Sequence, residues 1–175
     1  MSMPDVPVVE TQRLRMRGWV QDDFPAFAAV FADEEHCRYI GGSCSEDDAW
    51  RRFAITVGHW SLRGYGTWAV TRRDTGELVG SIGLWNPGGW PEIELGYWLT
   101  RAGTSQGFAT EAGAAARRYA YEVMGLGPIV SFIHPDNHAS QAVARRLGAR
   151  LEAMITLKDI DCQRWRHPTL DALTD

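Results

Sequence analysis

Apolar and polar residues recur along this chain at spacings that assign most of its elements. Leu14-Arg15-Met16-Arg17-Gly18-Trp19 alternates apolar and basic positions, the period of a half-buried strand. Asp22-Asp23 then precedes Phe24–Ala32, where Phe24, Phe27, Ala28 and Phe31 share one helical stripe. Gly41-Gly42-Ser43 breaks the pattern. Ser45 and Asp48, spaced as in a capping box, open a second helix carrying Trp50, Phe53, Val57 and Trp60 on one side and ending near Gly64. Three strands are predicted next: Thr67 to Arg73, Leu78 to Trp85 and Ile93 to Thr100. The turn signals Asp74-Thr75-Gly76 and Asn86-Pro87-Gly88-Gly89 separate them, so they read as an antiparallel meander.

After the meander the period changes. A loop over 101–107 leads into a helix from about Ala109 to Met124, with Ala112, Ala116, Ala120 and Val123 as a narrow apolar stripe. Gly125-Leu126-Gly127-Pro128 stops it. Ile129 to His134 reads as a strand. Pro135-Asp136-Asn137 starts a short helix that ends at Gly148. Leu151 to Ile160 and Cys162 to Leu170 suit a closing hairpin. No repeat, low-complexity tract or linker divides the chain. The expectation is one α+β domain over residues 1–175, with residues 1–9 a flexible N-terminus.

Composition narrows the function classes. A chain of 175 residues with 45% hydrophobic residues can build one sizeable core. The net charge of -4 and scattered arginines argue against a nucleic-acid partner. Cys37, Cys44 and Cys162 form neither a disulfide framework nor a metal-ligand spacing, so no metal is expected. Met1 to Thr11 has no apolar signal-like core, and no apolar run approaches the roughly 18 residues of a membrane span. The expected compartment is therefore a reducing cytoplasm, with no membrane partner.

Three segments carry candidate chemistry. Thr104-Ser105-Gln106-Gly107-Phe108-Ala109 opens directly onto the helix at Thr110-Glu111-Ala112. A helix start offers unbonded backbone N–H groups and a positive dipole end, and small residues let an anion approach them. In the strand before it, alternation puts Glu92, Glu94, Gly96 and Trp98 on one face and Ile93, Leu95, Tyr97 and Leu99 on the other. Glu92 fits a solvated face. Glu94 lies deeper, with space beside it at Gly96, and reads as a general base with its pKa raised by desolvation. Asn137, Ser140 and Ala144 share one helix stripe, beside an apolar stripe of Ala139, Val143 and Leu147; Asn137 also suits a simple N-cap.

Taken in order, these segments resemble the GNAT acetyltransferase family, and most closely its branch of ribosomal-protein N-terminal-alanine acetyltransferases. The resemblance runs from Glu10-Thr11-Gln12-Arg13-Leu14-Arg15-Met16-Arg17 through Glu94-Leu95-Gly96-Tyr97-Trp98-Leu99 and Gln106-Gly107-Phe108-Ala109-Thr110-Glu111-Ala112. It ends with Asn137-His138-Ala139-Ser140 and Arg146-Leu147-Gly148-Ala149. It implies a mixed, mostly antiparallel central sheet flanked by helices and splayed between the fourth and fifth strands. It also implies acetyl-CoA as co-substrate. The amides of Ser105, Gln106, Gly107, Phe108, Ala109 and Thr110, with Thr104 beside them, would grip its pyrophosphate. Its pantetheine arm would run between the strand holding Trp98 and Leu99 and the strand ending at His134. Asn137 would hydrogen-bond the arm, and Arg145 would meet the nucleotide phosphates.

The resemblance further implies direct transfer to an amine, either a small molecule or a protein N-terminus. Glu94 would take the amine's proton, the amide near Leu99 would stabilise the oxyanion, and Ser140 would protonate the leaving thiolate. A homodimer is compatible with it. Three positions depart from the pattern. Thr104 stands where Arg or Gln is common, Ser105 where Gly is frequent, and Ala144 where many relatives carry the thiolate-protonating tyrosine. These departures keep a second reading open, a catalytically inactive CoA- or peptide-binding module. A third would make Cys162 the nucleophile of an acyl-enzyme. The acceptor pocket is expected between the first two helices and the final hairpin, an aromatic slot near Trp60, Trp90 and Trp165.

Overall fold

The computed structural model describes residues 5–174. Eight strands form one open sheet in the order β1-β2-β3-β4-β5-β6-β8-β7. These are β1 (Val9–Glu10), β2 (Leu14–Arg17), β3 (Thr67–Arg72), β4 (Leu78–Trp85), β5 (Glu94–Leu99), β6 (Val130–Ile133), β7 (Arg150–Leu157) and β8 (Ile160–Arg166). The longer helices are α1 (Phe24–Ala32), α3 (Glu46–Arg63), α4 (Phe108–Glu122) and α5 (His138–Arg146); the short ones are α2 (Glu34–Cys37) and α6 (Leu170–Thr174). Of the expected flexible terminus, residues 1–4 lie outside the described residues. Val9 and Glu10 pair with Met16 and Arg15, and Pro7 O accepts from Trp68 Nε1 at 2.7 Å.

Alternation along β2 to β5 gives the sheet two apolar faces, and a helical layer covers each. On one face α4 lies over Leu14, Met16, Ile82, Leu84 and Leu95. Ala112, Ala116 and Ala120 are fully buried, and side chains this small let the helix axis approach the strands. Val123, expected on the same stripe, is instead the exposed C-cap residue of α4, past the point where the sheet needs cover. On the other face α1 and α3 bury Phe27, Phe31 and Phe53 around Trp19. Ser45 Oγ caps α3 by accepting from Asp48 N at 3.2 Å, and Gly64 ends it with φ 75°. Trp50 does not join the buried stripe of α3 and is half exposed.

The closing hairpin turns at Lys158-Asp159, two residues earlier than the pattern suggests. Both residues hold φ near the left-handed region, 48° and 66°. Tight hairpins favour Asn-Gly there. A side chain in that conformation costs roughly 1–2 kcal/mol per residue, so nothing in Lys-Asp signals the turn.

All strand pairs are antiparallel except β5–β6, which meet in parallel at a single bridge, Glu94 opposite Val130. Val130 N donates to Ile93 O at 3.2 Å. In a continued parallel ladder Phe132 N would donate next to Leu95 O. The strands splay instead, and side chains take both freed groups. Phe132 N donates to Glu94 Oε1 at 3.4 Å, and Leu95 O accepts from Ser131 Oγ at 2.7 Å.

Behind Ser131 stands a buried polar chain. His167 Nε2 lies 2.9 Å from Ser131 Oγ, and His167 Nδ1 lies 3.1 Å from Arg117 Nη1. A guanidinium only donates, so Nδ1 accepts and Nε2 carries the proton. The imidazole therefore donates to Ser131 Oγ, whose own proton points at Leu95 O. Burial, reinforced by the Arg117 and Arg166 charges, pushes the His167 pKa down to about 3. The unfolded chain takes up this proton near pH 6.5 and the folded chain does not, so stability is lost as pH falls through that window. In urea titrations, the stability gap between the native chain and His167→Gln should narrow steadily between about pH 6.5 and pH 3. A constant gap would refute the neutral, buried imidazole.

Candidate active site

Where β5 and β6 part, a cleft of about 760 Å³ opens between them, bounded by the Arg38–Gly42 segment, α5 and the tip of the β7–β8 hairpin. Glu94 lies at its base. Trp90 Nε1 donates to Glu94 Oε2 at 2.8 Å, and Phe132 N holds the other oxygen. Desolvation dominates these two hydrogen bonds and raises the carboxyl pKa to about 7. A Cβ added at Gly96 would meet nothing nearer than the Glu94 carboxyl carbon at 3.9 Å, so the space beside the carboxyl is real. Glu92, the other acid of that face, is committed to structure: it pairs with Arg164 at 3.3 Å and Arg166 at 2.6 Å.

The register of β4–β5 supplies the opposite wall. Thr100 N donates to Val79 O at 2.9 Å, which makes Gly80 and Leu99 a non-hydrogen-bonded pair. The amides of Tyr97 and Leu99 therefore face away from β4, towards the gap that β6 has vacated. Leu99 O is taken by His36 Nε2 at 2.6 Å, which donates to it from α2. Trp98 has the other orientation: it pairs with Ser81, and its indole packs against Phe27 and Phe31 at ring distances of 5.5 and 5.8 Å.

Beyond β5, the chain runs from Thr104 to Gly107 into α4. The helix ladder begins with Glu111 N donating to Gly107 O at 3.1 Å, so the amides from Ser105 to Thr110 lie outside it. Ser105 and Gly107 have φ of 60° and 79°, which explains why glycine suits the first of these positions as well. Phe108 and Ala109 bury their side chains and offer only backbone. Thr110 Oγ1 is buried without a hydrogen-bond partner. Thr104 Oγ1 donates to Arg101 O at 2.7 Å, and Gln106 Nε2 donates back to Ala102 O.

One contact here escaped sequence reasoning. Arg13 clamps the loop, its Nη1 donating to Gln106 O at 2.9 Å and its Nε to Glu111 Oε2 at 2.7 Å. Thr11 Oγ1 adds a bond to Glu111 Oε1 at 2.6 Å. About a hundred residues separate these partners, so no local pattern announces them.

The remaining residues sort by position. Asn137 Oδ1 accepts from Ser140 N at 3.2 Å, so Asn137 is the N-cap of α5 while still lining the cleft. Ser140 also lines it, and its carbonyl accepts from Tyr97 Oη at 2.9 Å. Burial and the Glu94 charge raise the Tyr97 pKa. Ala144 is wholly buried with Ile133, Ala149 and Trp165 and brings no acidic group. Arg145 is exposed, its guanidinium 5.1 Å from the Trp165 ring centre. Of the expected aromatic slot, only Trp90 is at the cleft. Trp60 and Trp165 are buried elsewhere, and Trp85 and Tyr39 line the cleft instead. Cys162 lines it too, but burial and the Glu94 and Asp161 charges raise its thiol pKa, the reverse of what a nucleophile needs. Among the described residues no group of His, Cys, Asp and Glu is placed to hold a metal ion, and no helix is long and apolar enough to cross a membrane.

Comparison with known proteins gives this geometry a context. The family model for the acetyltransferase (GNAT) domain matches residues 13–150. An uncharacterized N-acetyltransferase of Bacillus subtilis, YoaA, is 28% identical over 152 residues, spanning 85% of this chain and 86% of that protein. The crystal structure of an acetyltransferase from Agrobacterium tumefaciens superposes with a TM-score of 0.87 at 31% identity, covering 94% of this chain and 96% of that one. The ribosomal L7/L12 alpha-N-protein acetyltransferase RimL, solved in complex with coenzyme A, shares the fold with a TM-score of 0.74 at 17% identity, covering 93% and 98%.

The loop backbone makes a test of its own. Ser105→Gly should leave stability within about 1 kcal/mol, because relief of the left-handed side chain offsets the added freedom of the unfolded chain. Gly107→Ala should cost more, since its φ is 79°, where an L side chain is strained. Urea denaturation of both variants compares them, and equal losses would contradict the assignment.

Proposed function

Because this chain belongs to the GNAT acetyltransferase family, we propose that it transfers an acetyl group from acetyl-CoA directly to a primary amine held beside Glu94. The observation that carries this reading is the carboxyl of Glu94, poised near neutrality at the floor of the splay with unpaired strand amides facing the same gap. The residues present suit the co-substrate. The amides from Ser105 to Thr110 offer donors to a pyrophosphate at a helix start, and Thr104 flanks them. Coenzyme A in the RimL neighbour supports the same choice of ligand. Asn137 is the proposed hydrogen-bond partner of the pantetheine arm, and Arg145 of the nucleotide phosphates.

In the proposed reaction the amine nitrogen attacks the thioester carbonyl, and Glu94 accepts the proton the nitrogen loses. The amide of Leu99 donates to the oxygen as it becomes anionic, an effect worth about 3 kcal/mol per donor. The carbon–sulfur bond then breaks, and Ser140 delivers a proton to the thiolate. Both substrates are bound together, and Cys162 takes no covalent part. The acceptor is a small-molecule amine or a protein N-terminus.

Glu94→Gln should lower kcat/KM by roughly two to four orders of magnitude, the usual range for an acid–base group. A loss below about threefold would remove Glu94 from the chemistry. With the native chain, kcat/KM should rise with pH through about 7, as the carboxyl gives up its proton. Trp90→Phe removes a hydrogen bond that favours the carboxylate, so it should move this limb to higher pH. Release of free thiol from acetyl-CoA across an amine panel measures both. Acetyl-CoA binding without thiol release for any amine would favour a binding module instead.

A further inference from the structure

The charges around the cleft are one-sided. Among the described residues Glu94 is the one carboxylate that lines it, whereas Arg38, Arg52 and Lys158 all line it. Elsewhere arginines sit on acids: Arg17 on Asp23, Arg101 on Asp33, Arg166 on Glu92 and Glu152. The three cleft cations form no ion pair among the described residues. Arg52 is occupied otherwise, donating to Gly42 O at 2.8 Å and Gly41 O at 3.1 Å. Among the described residues Arg38 and Lys158 rest only on aromatic faces, Arg38 at 4.8 Å from the Tyr39 ring centre and Lys158 Nζ at 5.1 Å from that of Trp90. The nearby acids of the hairpin stand outside the cleft lining. Asp161 is held by Thr156 Oγ1 at 2.9 Å, and neither Asp161 nor Asp159 lines the cleft.

The position of Lys158 is informative. It sits at a tight turn with φ 48°, where a side chain is disfavoured and Asn or Gly would relieve strain. Strain of this kind concentrates where a side chain has a task. The turn carries the ammonium onto Trp90, whose other function is to bind Glu94 Oε2 at 2.8 Å. One indole ring thus links a free ammonium to the carboxyl that meets the amine.

Building on the transferase reading above, we propose that the acceptor is a small amine that also carries a carboxylate, of the amino-acid type. Its nitrogen faces Glu94 and its carboxylate faces Lys158 and Arg38. A polycationic acceptor would bring added positive charge against both cations, so polyamines and aminoglycosides are disfavoured.

Congeners of equal length and similar amine basicity test this: 4-aminobutyrate, butylamine and 1,4-diaminobutane, with alanine and ethylamine as a shorter pair. Thiol release should give a kcat/KM for a carboxylate-bearing amine at least tenfold above its neutral congener, with the diamine lowest. Lys158→Met should cut the ratio of carboxylate-bearing to neutral amine at least fivefold, Lys158→Arg should keep it, and added salt should compress it. Equal or higher rates for the neutral amine, the diamine or an uncharged amidated peptide would overturn the proposal. So would a Lys158→Met loss shared equally by all acceptors. If no amine releases thiol, the transferase reading has failed. Calorimetric binding of the same congeners to the CoA-loaded protein then reads the charge preference by itself, and an absent preference overturns it.

Discussion

A parallel strand pair that stops after one bridge must find new partners for the backbone groups it releases. A buried carbonyl or amide left unpaired costs about 1–3 kcal/mol, enough to close the gap or fray the sheet. Two side chains meet that demand. Ser131 takes Leu95 O, and Glu94 takes Phe132 N. The splay, the cleft it opens and the carboxyl at its floor are therefore one arrangement. The chain of Arg117, His167 and Ser131 reaches this point from the opposite side of the sheet's core. Its direction is set by chemistry: a cation that can only donate leaves one proton order for everything after it.

The same enclosure that secures the strands sets the electrostatics. Glu94 is partly buried at the base of the cleft, and two donors temper the desolvation cost of its charge without cancelling it. Tyr97 and Cys162 respond to that environment in the same direction, each held in its neutral form by burial and by Glu94. One group near neutrality among others kept protonated is the separation of pKa values that lets a site move a proton in a defined direction. Opposite it lie backbone donors on β5 and at the start of α4, which carry no titratable proton and work at any pH.

Much of this was legible in the chain. Period-two alternation placed Glu94 and Trp98 on one face of β5 and Leu95 and Tyr97 on the other, and period 3.6 found α1, α3, α4 and α5. What escaped has a common cause. The four residues of α2 are too few to show a period, yet they bring His36 to Leu99 O. The two residues of β1 are likewise too few to show a period. The contacts of Arg13 with Glu111, Ser131 with His167 and His167 with Arg117 join residues dozens of positions apart, each polar type being common on any surface. Trp90 lies in a turn segment where no periodicity assigns a face. Alternation put Glu92 and Glu94 on one face and depth in the strand set Glu94 apart, but the arginines of β8 that hold Glu92 lie too far along the chain to be read from it.

The one parallel junction also determines where the site lies. Antiparallel neighbours can be joined by short turns at either end, but a parallel neighbour requires the chain to travel back along the sheet. Here α4 makes that return, so its first turn must begin beyond the carboxyl end of β5, the end at which β6 diverges. Bare helix amides and an open strand edge are thus brought to one rim by connectivity. Side chains refine a location that the path of the backbone had already chosen.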